Sequence, residues 1–124
     1  GLQFMDIDMA MAANRVILTT ERIISNDQIR RAPDQTKIPF IAVDAVVEVP
    51  YGAHPTASFP NYAMDEDHID AYADLGDAAR TGDGTGLDAY MARHVTGPKS
   101  QGDYIEAVGG TAHFARLEAE ARNG

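Results

Sequence analysis

The feature that most constrains this chain is an apolar run that ends in a tight turn, VDAVVEVPYGAHP, at Val43–Pro55. Four apolar residues of the run fall on one face of a strand, while the opposite face carries two acids and one valine. Pro50 cannot extend a central strand, and Gly52 allows a positive φ or a close approach of another backbone. The pattern predicts the end of a core strand in an α/β sheet, where such folds place their ligands.

A second strand and two short helices are predicted before this run. They are a helix from Asp6 to Ala13, a strand at Arg15–Thr19, a helix at Ser25–Arg31 and an extended segment at Thr36–Ile41. The strand is a short run rich in β-branched residues, which is typical of a buried position. Ser25 and Gln28 are spaced as a capping box, and Pro33 ends the second helix.

The chain beyond Asn61 is predicted to be helical. Asp65 can cap a helix that runs to about Arg80, and the acids at its start favour the positive end of the helix dipole. Two further helices are predicted around Tyr104 and Leu117, the last of them capped by Thr111. Another helix carries a stripe at helical spacing, formed by Leu87, Tyr90, Met91, His94 and Val95.

The composition narrows the class of protein. A length of 124 residues is that of one domain, and a net charge of −9 disfavours nucleic acid as a partner. No apolar run approaches the ~20 residues of a membrane span, and no signal-peptide pattern is found, so no membrane association is expected. The absence of cysteine excludes disulfides and leads us to expect a cytoplasmic protein.

The order of the elements predicts an incomplete α/β fold. Strands come early, over residues 1–61, and helices fill residues 62–124 of what we expect to be a single domain, 1–124. Parallel strands are normally covered by helices on both faces and protected at their edges. The pattern therefore indicates the C-terminal part of a larger α/β unit, whose strand edges need partners from elsewhere.

Four segments, in their order and spacing, give the chain a family resemblance. They are FMDIDMAMAANRVILTTERI, TKIPFIAVDAVVEVPYGAHPTASFPNYAMDEDHIDAY, YMARHVTG and YIEAVGG, with Val43–Pro55 and Asn61–Tyr72 the most specific parts. Over residues 2 to about 117 the chain resembles the A-type subunit of the family I CoA-transferases, above all the glutaconate CoA-transferase type. Members carry a further N-terminal part with a Gly-rich loop, so the resemblance implies the C-terminal half of that subunit.

The resemblance implies a fold and a function. The fold would be a partial sheet of the NagB/RpiA/CoA-transferase type with a helical C-terminal region. In the family, a glutamate attacks the acyl-CoA carbonyl and forms an acyl-enzyme anhydride and then a glutamyl-CoA thioester. That glutamate lies on the second, B-type subunit, so no catalytic residue is expected in this chain, which alone would be inactive.

The implied partners are this B-type subunit, an acyl-CoA and a carboxylic acid. Coenzyme A thioester is a substrate, and no tightly bound cofactor is implied.

The turn after the strand holds the candidate binding residues. The residues predicted to line the substrate site are Tyr51, Gly52, Ala53, His54 and Pro55. His54 could donate a hydrogen bond to a substrate carboxylate or thioester carbonyl, because loops at strand ends often carry function. The alternative is a structural histidine bonded to the backbone. Glu48, inside the strand, is expected to be a buried carboxylate tied to an arginine or a backbone amide, since buried charges are normally paired.

A metal site is weighed and not predicted. Asp65, Asp67 and His68, with His54, could bind a metal in a small hydrolase, but their spacing fits no standard site. His94 and His113, which lie on helices, are assigned no role.

Three further alternatives stay open from the sequence. Arg30, Arg31 and Lys37 could meet CoA phosphates, or they could form a solvated basic patch. The chain could belong to a branch of the same family that hydrolyses a ring in steroid-derived CoA thioesters. It could also be an inactive scaffold or interaction protein.

Overall fold

The computed structural model describes residues 5–123, and these fall into two compact units. The first unit runs to Gly52 and contains a small sheet, while the second starts at Ala53 and is helical. Leu2–Phe4, which open the family resemblance, lie outside the described residues. The predicted single domain, with a change from strand-rich to helical at residue 61, stays a prediction.

The first unit is built around a pair of parallel strands. Its elements are α1 (Asp6–Ala12), β1 (Ile17–Thr20), α2 (Asn26–Arg31) and β2 (Ala45–Glu48), with 3-10 turns at Pro33–Gln35 and Phe40–Ala42. Within the described residues, the sheet consists of these two strands, paired from Ile17 opposite Ala45 to Thr20 opposite Glu48. The predicted α/β class is confirmed.

Two carboxylates hold the ends of the strand pair. Asp44, just before β2, accepts hydrogen bonds from the backbone N–H of Val16 at 2.8 Å and from Arg15 at 3.2 Å. At the other end, Glu48 accepts a hydrogen bond from the backbone N–H of Ile23 at 2.6 Å, which confirms its predicted tie to a backbone amide. The predicted burial of Glu48 is wrong, since β2 is exposed along its length. Each acid reaches across to the chain beside β1, so together they favour the observed register.

Two predicted details of the first unit are wrong. The predicted cap, Asp6, is the first residue of α1, because Met5 occupies the N-cap position and makes no side-chain bond. The predicted extended segment Thr36–Ile41 is extended at Thr36 and at Pro39, but a 3-10 turn replaces it from Phe40. This turn forms because the carbonyl of Pro39 accepts the N–H of Ala42 at 3.0 Å.

The second unit is helical throughout the region beyond its opening loop. Its helices are α3 (Glu66–Arg80), α4 (Thr85–Met91), α5 (Gln101–Val108) and α6 (Gly110–Asn123), and a π-helical turn at Ala92–Thr96 continues α4. Asp65 caps α3 through its side chain, as predicted. The last helix differs from the prediction, since Gly109, with φ 136°, turns the chain and α6 begins before Thr111. None of the helices in residues 5–123 has the length and apolarity to span a membrane.

The core of the second unit is small and partly polar. Tyr62 and Phe114 are fully buried, and Leu117 is 1% exposed. The backbone N–H of Ala63 donates to the carbonyl of Leu117 at 3.0 Å, which joins the segment before α3 to α6. Asp65 is also 1% exposed. A carboxylate so deeply buried needs partners, and these partners define the candidate site.

Candidate functional site

All four histidines of the chain meet in the second unit. They form the histidine cluster: His54 from the loop before α3, His68 from α3, His94 from the π-helical turn and His113 from α6. The ring centroids of His54 and His68 lie 5.0 Å apart, and those of His68 and His94 lie 5.2 Å apart. The rings of His54 and His113 lie 6.1 Å apart.

Asp65 is the charged centre of the histidine cluster. Its Oδ2 accepts hydrogen bonds from Nε2 of His54 at 2.9 Å and from Nε2 of His113 at 2.5 Å. Its Oδ1 accepts the backbone N–H of His68 at 3.3 Å, and Arg116 lies 3.7 Å from the same oxygen. Burial alone would raise the pKa of Asp65, but the hydrogen bonds from His54 and His113 outweigh burial and lower that pKa. The carboxylate is therefore ionised at neutral pH, and both imidazoles must donate to it.

His54 links Asp65 to Tyr104. Its side chain is fully buried, and its Nδ1 lies 2.7 Å from the hydroxyl of Tyr104. Burial lowers the pKa of His54, and the hydrogen bond and charge of Asp65 oppose that effect only in part. A neutral His54 that donates from Nε2 must accept at Nδ1, so Tyr104 donates its O–H to His54. The hydrogen bonds thus run in one direction, from Tyr104 through His54 to Asp65.

Tyr90 connects the other two members of the histidine cluster. Nε2 of His68 lies 2.8 Å from the hydroxyl of Tyr90, and the Tyr90 ring packs 4.7 Å, centroid to centroid, from that of His94. Burial lowers the pKa of His68 and of His94, and the positive charge that His54 would carry if protonated lowers both further. With His54, these residues are therefore neutral at pH 7.

Two of the predicted binding residues belong to the first unit. Tyr51 has a φ of 58°, and its backbone N–H donates to Glu21 at 2.6 Å. A Cβ on Gly52 would lie 2.8 Å from the carbonyl oxygen of Val49. Glycine is needed at this position for the close backbone approach, while the positive φ belongs to Tyr51.

The other three predicted binding residues open the second unit. The N–H of Ala53 donates to the hydroxyl of Tyr62 at 2.9 Å, and the carbonyl of Pro55 accepts the N–H of Asp65 at 2.9 Å. His54, between them, is bonded to two side chains rather than to the backbone. A part for these residues in substrate binding stays a prediction.

Three side chains of the site have the donor types that bind metals. Among the residues that the structure describes, His54, Asp65 and His113 are the one such group, with ligand atoms within 4.8 Å of one another. Their two N–O distances, 2.9 and 2.5 Å, are hydrogen-bond lengths. Two ligands of one tetrahedral zinc ion would lie about 3.3 Å apart, given bonds of about 2.0–2.1 Å. The distances favour a hydrogen-bonded network over a metal centre.

The metal set weighed from the sequence is not the set that the structure brings together. Asp67 has a side chain that is 86% exposed and lies 3.5 Å from Arg116, and His68 directs its Nε2 to Tyr90. His113 takes their place beside Asp65, although no role is predicted for it from the sequence. A signal was present, because His113 lies one helical turn before the buried Leu117, and a histidine near a buried helix face needs a polar partner.

The basic residues weighed as phosphate contacts lie in the first unit. Arg30, Arg31 and Lys37 are exposed, and Arg30 makes a long ion pair of 3.8 Å with Asp27. Their exposure is what a solvated basic patch requires.

Comparison with known proteins defines the class of the fold. The crystal structure of glutaconate coenzyme A-transferase from Acidaminococcus fermentans matches 94% of this chain, with a TM-score of 0.83 and 34% sequence identity. The match covers 35% of that chain. No family model matches the sequence. The fold is therefore that of part of a CoA-transferase, as the resemblance implies.

Sequence comparison then identifies which of the two subunit types the chain resembles. The A-type subunit of A. fermentans glutaconate CoA-transferase is 36% identical over 111 residues, which is 90% of this chain. A protein of Archaeoglobus fulgidus is 39% identical over 117 residues, or 94% of this chain. The cholesterol ring-cleaving hydrolase IpdA subunit of Mycobacterium tuberculosis is 34% identical over 100 residues, or 79% of this chain. The chain is a homologue of the A-type CoA-transferase subunit.

The chain spans a third or less of the curated relatives it matches. It covers 33% of the glutaconate CoA-transferase subunit, 32% of the IpdA subunit and 25% of the Archaeoglobus protein. This share is smaller than the half of a subunit that the resemblance implies. That the matched part is the C-terminal one stays a prediction.

Proposed function

We propose that this chain forms part of the A-type subunit of a cytoplasmic CoA-transferase and helps to bind an acyl-CoA and a carboxylic acid, while a partner B-type subunit supplies the catalytic glutamate. The observation that carries the proposal is the match to glutaconate CoA-transferase, with a TM-score of 0.83 over 94% of the chain. The 36% identity to the A-type subunit of that enzyme supports a shared role as well as a shared fold. Because the chain spans a third of that subunit, we propose a contribution to activity rather than activity alone.

Within this proposal, the loop Tyr51–Pro55 lines the substrate site. Its conformation is set by several contacts: the close backbone approach at Gly52, and the hydrogen bonds of Ala53 and Pro55. Such a loop can offer backbone groups to a ligand at little entropic cost. The side chain of His54 is fully buried, so we assign it the part of a positioning residue that holds the loop from within.

The proposed reaction needs no acid or base from this chain. The glutamate carboxylate of the partner subunit reacts with the acyl-CoA carbonyl, and the CoA thiolate leaves as an anhydride forms. The thiolate then attacks the glutamyl carbonyl of the anhydride, which releases the first acid and leaves a glutamyl-CoA thioester. The second acid reverses both steps and departs as the new acyl-CoA. The lowered pKa values of His54 and His68, which keep both neutral at pH 7, agree with a supporting part in this scheme.

A chimera tests the proposal. The part of the A. fermentans A-type subunit that matches this chain would be replaced by the chain, and the chimera co-expressed with the B-type subunit of the same transferase. We expect a complex that moves CoA from acetyl-CoA to glutaconate, whereas this chain alone should show no turnover. A folded complex that neither transfers nor hydrolyses an acyl-CoA would contradict the proposal.

A pair of glycine substitutions in the same chimera tests the loop. In Gly52→Ala, the new Cβ would meet the carbonyl of Val49 at 2.8 Å, so the loop must shift. We expect KM to rise about tenfold, which is the cost of about 1.4 kcal/mol in substrate binding. The matched control is Gly76→Ala, where a Cβ meets nothing within 4 Å, and its KM should stay unchanged. Equal kinetics for both variants would exclude the loop from the substrate site.

Hydrolysis of a ring in a CoA thioester is the second function that a comparison favours, through the 34% identity to the cholesterol ring-cleaving hydrolase subunit. Transfer requires a second acid, whereas hydrolysis requires water alone. Opening of the ring in a cyclic acyl-CoA by the chimera, without any added acid, would therefore favour the hydrolase. An inactive scaffold would bind the partner subunit and do neither.

The one observation that favours a metal-dependent hydrolase is the proximity of His54, Asp65 and His113. Catalytic zinc needs an open position for water, but His54 and Asp65 have side chains that are 0% and 1% exposed. We therefore expect purified protein to hold far less than one equivalent of zinc or manganese by elemental analysis. One equivalent of bound zinc or manganese would instead support the metal-dependent hydrolase.

A further inference from the structure

The turn that carries Tyr51 leaves the sheet of the first unit at the carboxyl ends of its strands. The two strands end side by side, since the N–H of Val49, just after β2, donates to the carbonyl of Thr20 at 2.8 Å. In open α/β sheets, ligands bind outside the carboxyl ends of the strands. The turn, Val49–Gly52, therefore lies where a substrate-binding turn of such a fold is expected.

This turn holds Tyr51 in a conformation that tyrosine seldom adopts. The N–H of Gly52 donates to the carbonyl of Val49 at 2.9 Å, which makes Tyr51 the third residue of a β-turn. Its φ of 58° lies in the left-handed region. At this position a positive φ normally belongs to glycine or asparagine, because other side chains crowd the backbone there. The geometry of the turn thus disfavours tyrosine, and strain of this kind is concentrated at functional sites.

Glu21 makes a contact that stabilises this strained turn. It follows β1 directly, and its carboxylate accepts the backbone N–H of Tyr51 at 2.6 Å. The internal bond of a β-turn joins its first and fourth residues, so the N–H of the third residue needs an acceptor from outside the turn. Both side chains are half-buried, and a bond from an N–H to a carboxylate is stronger than one to a neutral acceptor. Glu21 therefore favours the turn in the conformation that Tyr51 by itself would avoid.

We infer that Glu21 is a positioning residue for the substrate: it fixes the turn so that Tyr51 presents its side chain to the acyl group, which the acyl-CoA and the acid have in common. The inference rests on the proposed function, in which Tyr51 lines the substrate site. Tyr51 makes the contact with the substrate, and Glu21 acts through Tyr51. The competing explanation is a purely structural bond, whose loss would lower stability and leave substrate binding unchanged.

Steady-state kinetics of the transferase chimera test the inference. In Glu21→Ala the N–H of Tyr51 loses its acceptor, and we expect KM for glutaconate to rise about tenfold while kcat changes by less than about twofold. Glu21→Gln keeps an acceptor oxygen, so its KM should stay within about threefold of that of the parent chimera. The matched control is Asp44→Ala, which removes a carboxylate that accepts the N–H of Val16 at 2.8 Å, at the opposite end of the strand pair. Its KM should stay unchanged.

A double variant shows whether Glu21 acts through Tyr51. Tyr51→Gly adopts a positive φ without strain, but it removes the side chain that Glu21 positions. Adding Glu21→Ala to Tyr51→Gly should raise KM by less than about twofold, because residues that share one function have non-additive effects. If Glu21→Ala does not fold, Glu21→Asp takes its place, since it keeps the charge and withdraws the oxygen by one methylene. The same rise in KM is expected from it.

Each other outcome overturns the inference. An unchanged KM in folded Glu21→Ala or Glu21→Asp, with an active parent chimera, would leave Glu21 a structural part only and the proposed function intact. An equal rise in Asp44→Ala would mean that KM reports a general loosening of the sheet. A KM in Glu21→Gln as high as in Glu21→Ala, or additive effects with Tyr51→Gly, would refute positioning through this bond. An inactive parent chimera would contradict the proposed function and the inference together.

Discussion

Asp65 serves two structural purposes with its two carboxylate oxygens. Oδ1 caps α3 by accepting the N–H of His68, and Oδ2 accepts the N–H groups of His54 and His113. Neither purpose requires solvent, and the lowered pKa keeps the group ionised in a site that is 1% exposed. A side chain that satisfies a helix end and two imidazoles at once is hard to replace.

Replacement of Asp65 by asparagine tests this dual purpose. Asparagine keeps a capping oxygen, but its amide group cannot accept from both histidines, so a buried N–H loses its partner. We expect Asp65→Asn to lower the free energy of unfolding by about 3 kcal/mol, measured by urea denaturation. Asp67→Asn makes the same change at a side chain that is 86% exposed and should cost less than about 0.5 kcal/mol. Similar losses of unfolding free energy in the two variants would contradict the dual structural role of Asp65.

Tyr104 offers a test of the direction of the hydrogen bonds. Phenylalanine would leave Nδ1 of the buried His54 without a donor, and the expected cost is about 1–2 kcal/mol in the free energy of unfolding. The control is Tyr72→Phe, which removes a hydroxyl from a residue that is 47% exposed and should have little effect. The decisive measurement is the nitrogen-15 chemical shift of His54, which should move in Tyr104→Phe and stay in Tyr72→Phe. An unchanged shift in both variants would refute the bond.

At the scale of single elements, capping explains where α5 begins. Ser100 accepts the N–H of Asp103 at 3.1 Å, and the Asp103 carboxylate accepts the N–H of Ser100 at 3.1 Å. Ser100→Ala should therefore cost about 1 kcal/mol of stability in thermal unfolding. Thr111→Ala is the informative control, since Thr111 is the predicted cap of the next helix, but that helix begins before it, at Gly110. A larger loss for Thr111→Ala would restore the sequence-based assignment.

Local patterns predicted most of the elements and little of the candidate site. The capping box of Ser25 and the cap formed by Asp65 act over three residues, so the sequence contains all that is needed to find them. The bond from Asp65 to His113 spans 48 residues, and it depends on how α6 packs beside the start of α3. The two ends of that bond show no local pattern in common. The family resemblance supplied the fold, because it compares whole sequences rather than short windows.

At the scale of the whole molecule, the histidine cluster makes stability depend on pH. Burial lowers the pKa of His54, His68 and His94, so the unfolded chain, where histidine titrates near about pH 6.5, binds protons more readily than the folded one. The stability that rests on neutral histidines is complete above about pH 6.5 and falls as the pH drops towards the lowered pKa values. Asp65 acts in a lower window: its contribution is complete above about pH 3.9 and is lost as the pH falls through its lowered pKa.

Urea unfolding at about pH 7.5 and about pH 5.5 measures this dependence, and we expect a loss of about 1–2 kcal/mol at the lower pH. His94→Leu is the matched variant. It removes one titrating ring, whose Nδ1 is buried without a hydrogen-bond partner among the described residues. Between the same two pH values, this variant should lose less unfolding free energy than the unchanged protein. Equal stability of the unchanged protein at both pH values would mean that folding does not lower the pKa values of these histidines.

The bond between Ala63 and Leu117 also bears on when the helical unit can form during synthesis. The buried residues Phe114 and Leu117 and the second imidazole on Asp65 all come from α6. While the ribosome is still adding α6, Asp65 lacks the imidazole of His113 and the N–H of Ala63 lacks the carbonyl of Leu117, although α3 has already been made. The core of the helical unit can therefore be completed only once α6 has been made, and Asp65 gains its second imidazole only then.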